Sequence, residues 1–243
     1  MKDSTKKIND NLVRFWDEAI ALSEEDKKQL QSEQECDYKA LVPSEKLLVA
    51  AQGLGKCHHV LDYGCGSGWA SFVIADAGCL NIDAVDLGEN IIAALSFYAE
   101  LYGLSKNIHP KVIDPDWLSS VPSETYDGLI CSNVLDVVPL ETSEAIIKEM
   151  ARIVTANASI VIGLNFYLSP EMAEARGMEL VEGRYLFVND VLRLVSRSDE
   201  DWIEAFSPYF NVEKLDHFAW PGEQKETRRL FLLKKKIKRS VNA

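Results

Sequence analysis

The chain has 243 residues, 47% of them hydrophobic, which is enough apolar material for one large α/β domain or two small ones and excludes a disordered chain. With 38 acidic and 26 basic residues the net charge is -12, so the surface repels phosphate backbones and nucleic acid is a disfavoured partner. No window reaches the roughly 20 apolar residues that span a bilayer. The charged start Met1-Lys2-Asp3-Ser4-Thr5-Lys6-Lys7 lacks a signal core, so a cytoplasmic protein without membrane contact is expected. Five scattered cysteines (Cys36, Cys57, Cys65, Cys79, Cys131) form no C-x-x-C pair, so buried reduced thiols are expected, with neither a disulfide framework nor a metal site. The basic cluster Lys234 to Arg239 reads as a solvated tail.

Residues 5–35 read as helix. Ile8, Leu12, Phe15, Trp16, Ala19 and Ile20 recur at helical spacing, and Ser23-Glu24-Glu25-Asp26 has the look of a fresh start. Ser44 caps a further helix, Glu45 to Gln52, which stops at Gly53 and Gly55. These segments precede the first strand and are expected to form a helical cap, residues 1–56, on a single α/β unit, residues 57–243.

From residue 58 strands and helices alternate. Strands are expected at 59–62, 81–86, 111–113, 126–131 and 159–164, and helices at 69–77, 90–101 and 143–154. Almost continuous apolar strands separated by helices imply a parallel sheet covered on both faces. The tail changes pattern: a helix at 200–206, then strands at 211–218 and 227–233 about a turn at Pro221-Gly222, a hairpin-like pair at the sheet edge.

The most informative stretch is Val60-Leu61-Asp62-Tyr63-Gly64-Cys65-Gly66-Ser67-Gly68. A strand that runs into glycines and then a helix lets a ligand approach the backbone and meet a helix N-terminus. The spacing is G-x-G-x-G, and Trp69 occupies the place of the third glycine of a dinucleotide site. Asp62, two residues before the first glycine, would repel a pyrophosphate and suits a ligand that carries an α-ammonium group. Asp86 ends the second strand, where an acid accepts hydrogen bonds from both hydroxyls of a ribose. The third strand runs into Asp114-Pro115-Asp116-Trp117, where one carboxylate can take an adenine amino group and Trp117 or Leu87 can cover the ring. The fourth strand ends in Ser132-Asn133-Val134-Leu135-Asp136. All four sites lie at carboxyl ends of strands, where open parallel sheets bind ligands.

This run of motifs resembles the class I S-adenosylmethionine-dependent methyltransferases of the small-molecule type, with V-L-D-x-G-C-G-x-G over the first loop. The resemblance covers about residues 58–166. It implies a doubly wound, Rossmann-like, seven-stranded sheet, mostly parallel, whose last strand is inserted antiparallel. It further implies that Gly64, Cys65, Gly66 and Gly68 contact the methionine and sugar of S-adenosylmethionine, and that Asp86 binds the ribose. Asp114 or Asp116, with the Trp117 backbone, would bind adenine, and Asn133 would lie beside the sulfonium. Two departures count: Asp136 stands where many relatives have a histidine, and Ala156-Asn157-Ala158 replaces Gly-Gly before the fifth strand. Asp136 is then either a general base or a solvated or capping acid.

Trp16, Phe15 and Tyr38 are either a lid over the cofactor or core packing. Arg184, Tyr185, Arg193, His217 and Trp220 lie where such folds shape the acceptor pocket, though each singly reads as structural. No cysteine follows a proline, and no Asp/Asn-Pro-Pro-Tyr/Phe motif follows the fourth strand, so a small-molecule acceptor is favoured over protein or RNA. The product would be S-adenosyl-L-homocysteine, after displacement in line at an O, N or S atom. The rival readings are a nicotinamide oxidoreductase, which lacks its third glycine here, and a non-catalytic S-adenosylmethionine sensor.

Overall fold

The computed structural model describes residues 2–32 and 37–236. Cys36 and the end of the basic tail therefore lie outside the described residues. The amphipathic start forms two helices, α1 (Lys2–Ile20) and α2 (Glu24–Ser32). The break is set by Ser23, whose hydroxyl accepts from the Asp26 amide at 3.1 Å while the Asp26 carboxylate accepts from the Ser23 amide at 2.9 Å. This reciprocal cap satisfies two backbone donors that a helix start leaves free. After a 3-10 turn at Tyr38–Leu41 comes α3 (Glu45–Gln52), capped by Ser44 as expected.

The alternating part follows: β1 (Val60–Tyr63), α4 (Trp69–Asp76), β2 (Ile82–Asp86), α5 (Glu89–Leu101), β3 (Ile108–Val112), α6 (Trp117–Ser120), β4 (Tyr126–Ser132), α7 (Leu140–Ile153) and β5 (Val154–Leu164). The chain continues through α8 (Pro170–Glu174), β6 (Tyr185–Val188), β7 (Val191–Val195), α9 (Asp199–Phe206), β8 (Phe210–Phe218) and β9 (Arg228–Lys235).

Seven strands form one sheet in the order β3-β2-β1-β4-β5-β9-β8. β3, β2, β1, β4 and β5 pair parallel, and β9 runs antiparallel to both of its neighbours. All four residues of β1 are buried, as the central strand of a sheet with helices on both faces requires. One hydrophobic core holds Leu61, Leu129, Ile160 and Trp202, and a second holds Val60, Phe72, Ile74 and Leu95. The strand order reverses at β1, between β2 and β4, and such a switch point opens a crevice at the carboxyl ends.

Three boundaries move. α7 begins at Leu140 behind Pro139, and Ser143 is a buried residue of its first turn whose hydroxyl donates to the Leu140 carbonyl at 2.9 Å. β3 starts earlier, at Ile108, and accommodates Pro110 because it is an edge strand with one unpaired side. β5 starts at Val154, directly after α7. The β6–β7 hairpin is an addition to the expected elements. Its turn is Asn189-Asp190, both left-handed at φ 51° and 62°.

Candidate active site

The glycine loop joins β1 to α4 and is tied to β2, because the Gly64 and Cys65 amides both donate to the Val85 carbonyl, at 2.9 and 3.1 Å. Gly64 has φ +71°, and a Cβ there would lie 2.3 Å from Cγ2 of Val134, so a side chain is excluded by the neighbouring β4 loop. Gly66 has φ +50° with nothing within 4 Å of a notional Cβ, so its backbone faces open space. That open space is a cavity of about 1280 Å³ at the carboxyl ends of β1, β2, β3 and β4.

Asp86 lines this cavity and clamps the loop from β2. Its Oδ2 accepts from the Gly66 amide at 3.2 Å, and its Oδ1 accepts from the Leu87 amide at 2.7 Å and the Gly88 amide at 3.4 Å. Burial raises its pKa, and these backbone donors oppose the rise. Gly64, Cys65, Gly66, Leu87, Asp114, Asp116 and Asn133 line the same space, so residues expected from four separate strand ends come together there. Asp114 is the turn former: its Oδ1 accepts from the Asp116 amide at 2.9 Å and its carbonyl from the Trp117 amide at 3.1 Å. Asn133 sits in the left-handed region at φ 59°.

Four expected site residues stand elsewhere. Asp62 is buried behind the loop, where its Oδ2 accepts from the Ser71 amide at 3.1 Å and the Ser71 hydroxyl at 2.6 Å. It anchors the first turn of α4 and does not line the cavity. Burial pushes its pKa up to about 7. Gly68 is the N-cap of α4, packed against Leu95 and Phe72. The Trp117 ring carries the Lys111 ammonium 5.3 Å from its centroid, and Leu118 takes its expected place in the cavity wall.

Asp136 is the fourth. It is fully buried off the cavity, its Oδ2 accepting from the Asn165 amide at 2.5 Å. Its carbonyl accepts from the Val195 amide at 2.6 Å, and the fully buried Arg229 lies close enough for its charge to oppose the rise in Asp136's pKa that burial causes. A carboxylate enclosed in this way supports the loop after β4; it has no path to a substrate proton.

The roof of the cavity comes from residues whose role the sequence left open. Leu12, Trp16 and Ile20 of α1 line it, on the helical stripe expected for packing. Asp17 fixes that roof to α5, accepting from the Asn90 amide at 2.8 Å, the Ile91 amide at 3.2 Å and the Asn90 side chain at 2.9 Å. Phe15 stays outside, edge-on to Trp16 and beneath the Arg193 guanidinium at 4.5 Å. Tyr38 is also remote, donating to Asp76 at 2.6 Å. Of the expected acceptor-pocket residues only Trp220 lines the cavity, and His217 instead pairs with Asp199 at 3.0 Å. Val138 and Ile146, from the α7 region, complete an apolar wall that sequence reasoning missed. Helical spacing marked Ile146 as inward-facing without saying what it faces, and Val138, before the helix, carried no such signal.

Among the described residues no helix is long and apolar enough to cross a membrane, and no group of three His, Cys, Asp or Glu side chains is placed to hold a metal ion. Cys57, Cys65, Cys79 and Cys131 are free thiols.

No curated protein matches the chain. The fold is that of several solved structures. A Pyrococcus horikoshii OT3 protein superposes with a TM-score of 0.64 at 19% identity, over 85% of this chain and 93% of that one. The magnesium protoporphyrin IX methyltransferase of Synechocystis PCC 6803, bound to S-adenosyl-L-homocysteine, gives 0.61 at 15% identity, over 86% and 92%. The N-methyltransferase NodS from Bradyrhizobium japonicum WM9, in complex with the same nucleoside, gives 0.62 at 12%, over 93% and 100%. Residues 60–157, which hold β1 to β4 and the loops that follow them, match the family model of a methyltransferase domain. The match covers less than half of the chain, and over most of its length the chain shares the fold of these methyltransferases.

Proposed function

We propose that this chain is a class I S-adenosylmethionine-dependent methyltransferase, which binds S-adenosylmethionine along the loops after β1, β2 and β3 and methylates a small molecule held beside it under α1. The observation that carries the reading is a single roofed cavity in which open glycine backbone, a buried carboxylate on β2 and a left-handed asparagine on β4 meet. The residues fit the group: Gly66 leaves space where any side chain would intrude, and Asp86 offers a carboxylate already held by three backbone amides. In this reading Gly64, Cys65, Gly66 and Ser67 hold the methionine end. Asp86 takes the ribose hydroxyls, Leu87 and Leu118 flank the adenine, and the pre-oriented Asp114 accepts its amino group.

Bound there, S-adenosylmethionine supplies a methyl group made electrophilic by its sulfonium. The chain's own work is then to hold the acceptor and exclude water, and positioning of that kind is worth on the order of 7–11 kcal/mol. Leu12, Trp16, Val138, Ile146 and Trp220 offer it a largely apolar enclosure. Among the described residues the cavity lining contains neither histidine nor lysine, so any base for an acceptor that must lose a proton would be one of its carboxylates, such as Glu141 or Glu149. A net charge of -12 favours a small molecule over RNA.

Incubation with methyl-labelled S-adenosylmethionine and a metabolite extract, with mass detection, tests this. A labelled small product is expected, and Asp86→Ala should abolish it by weakening cofactor binding about 10–100-fold, the loss of charge-assisted hydrogen bonds. Label found only on polypeptide or RNA would refute the small-molecule reading. Cofactor binding without transfer to any pool would refute catalysis.

A further inference from the structure

Two neighbouring arginines on β9 point to opposite sides of the sheet, and the first of them reaches the cavity through intermediaries. Arg228 is 5% exposed, and its Nε and Nη2 grip the Glu223 carboxylate at 2.6 to 3.1 Å. Its guanidinium lies 3.4 Å from the centroid of the Trp220 ring, and the Trp220 amide donates to Glu223 at 2.8 Å. Its remaining Nη1 donates to Oδ1 of Asn165. That same oxygen accepts from Nδ2 of Asn133 at 2.9 Å. An atom that takes two donors at once is an oxygen, so the orientation of the Asn165 amide is settled by its neighbours. The Asn165 backbone is pinned as well, by Asp136.

Trp220 and Asn133 belong to different walls of the cavity, one after β8 and the other after β4. Asn133 also sits in the left-handed region, which asparagine tolerates better than most L residues.

We propose that Arg228 is a positioning residue that, through Asn165, fixes the Asn133 amide in the floor of the cavity and, by stacking, fixes Trp220 in another of its walls. The consequence at the reacting end rests on the cofactor reading given above; the hydrogen-bonded relay itself does not.

The side-chain amide of Asn133 reports on the relay directly, in ¹⁵N-labelled protein assigned with Asn133→Gln. In wild type one of its protons should be shifted downfield and protected from exchange. Asn165→Asp retains an oxygen acceptor and should keep that signature, whereas Asn165→Leu removes it and should lose it. Arg228→Ala should speed exchange of the same proton, and Arg228→Lys, which keeps the charge but not the flat stack or the fork, should not rescue it. Titration with S-adenosyl-L-homocysteine should show a dissociation constant raised about fivefold in Asn165→Leu and unchanged in Asn165→Asp. An Asn133 signature identical in wild type and a folded Asn165→Leu overturns the relay. A signature that behaves as stated in a protein that does not bind the nucleoside leaves the relay standing and overturns the cofactor reading.

Discussion

Asp62 and Asp86 end adjacent strands and differ in what surrounds them. Asp86 is buried beside open space and held by three backbone amides, which fix its oxygens where the proposed ribose hydroxyls would arrive. Asp62 has no such outlet; among the described residues its donors are the backbone amide and the hydroxyl of Ser71, and burial pushes its pKa up to about 7. A carboxyl whose folded pKa lies above its unfolded value of about 3.9 stabilises the fold fully below that value, and the stabilisation fades as pH rises toward 7. Asp62→Asn keeps an acceptor for Ser71 without a titrating proton. Denaturant titrations at pH 5 and pH 8 should therefore show the variant gaining on wild type by about 2 kcal/mol over that interval. Asp86 shifts in the same direction, so the difference between variant and wild type, not the wild-type curve alone, isolates Asp62. A gap independent of pH would mean that Asp62 is ionised throughout and that its burial is offset by something other than Ser71.

At the level of elements, α1 is the roof of the cavity, yet Leu12 is the one buried side chain described for it. Its attachment is therefore mostly at the edges: Asp17 on the α5 amides, the Asn11 side chain on the Asp190 carbonyl at 3.2 Å, and Arg193 over the rings of Phe15 and Trp16 at 4.5 and 5.1 Å. An element held this way opens more readily than the sheet does. Asp17→Ala removes a cap worth about 1 kcal/mol. Amide exchange in α1 should rise by about a factor of five while the amides of β1 and β4 stay as they were. Unchanged exchange in α1, or a uniform rise across the sheet, would show that the roof is not a separate unit. The stripe Leu12-Trp16-Ile20 was legible in the sequence as helical spacing; the surface it covers was not, because Asp17 meets Asn90 from 73 positions away in the chain. The same holds for Asp136. A strand-end acid one turn beyond Asn133 reads as functional until Asn165 and Arg229, from distant strands, close over it. The Asn189-Asp190 hairpin was missed although its signal is local: two residues that tolerate positive φ stand between apolar pairs, but strands of four and five residues are too short to stand out from loop.

For the molecule as a whole, the question is which nucleotide the cavity accepts, since dinucleotide enzymes share both the switch point and the strand-end acid. Here the electrostatics decide. Asp17, Asp86, Glu89, Asp114 and Asp116 line the cavity, with Arg14 as its one cation among the described residues. One loop amide, that of Gly66, already points at Asp86, and Trp69 stands where a pyrophosphate would need glycine. A dianionic pyrophosphate would enter against this field, whereas a sulfonium and an ammonium enter with it. Ligand at a hundred times its dissociation constant stabilises a fold by about 2.7 kcal/mol. For a chain of this size each kcal/mol is about 2–4 °C in Tm. S-adenosylmethionine and its homocysteine product at saturation should therefore raise Tm by about 5–10 °C, and NAD at the same concentration by less than about 1 °C. The sulfonium form should also lose affinity faster than the neutral thioether as salt rises, because only its extra charge is screened. Stabilisation by NAD, or equal salt dependence of the two sulfur ligands, would show that the acidic lining does not select what the cavity holds.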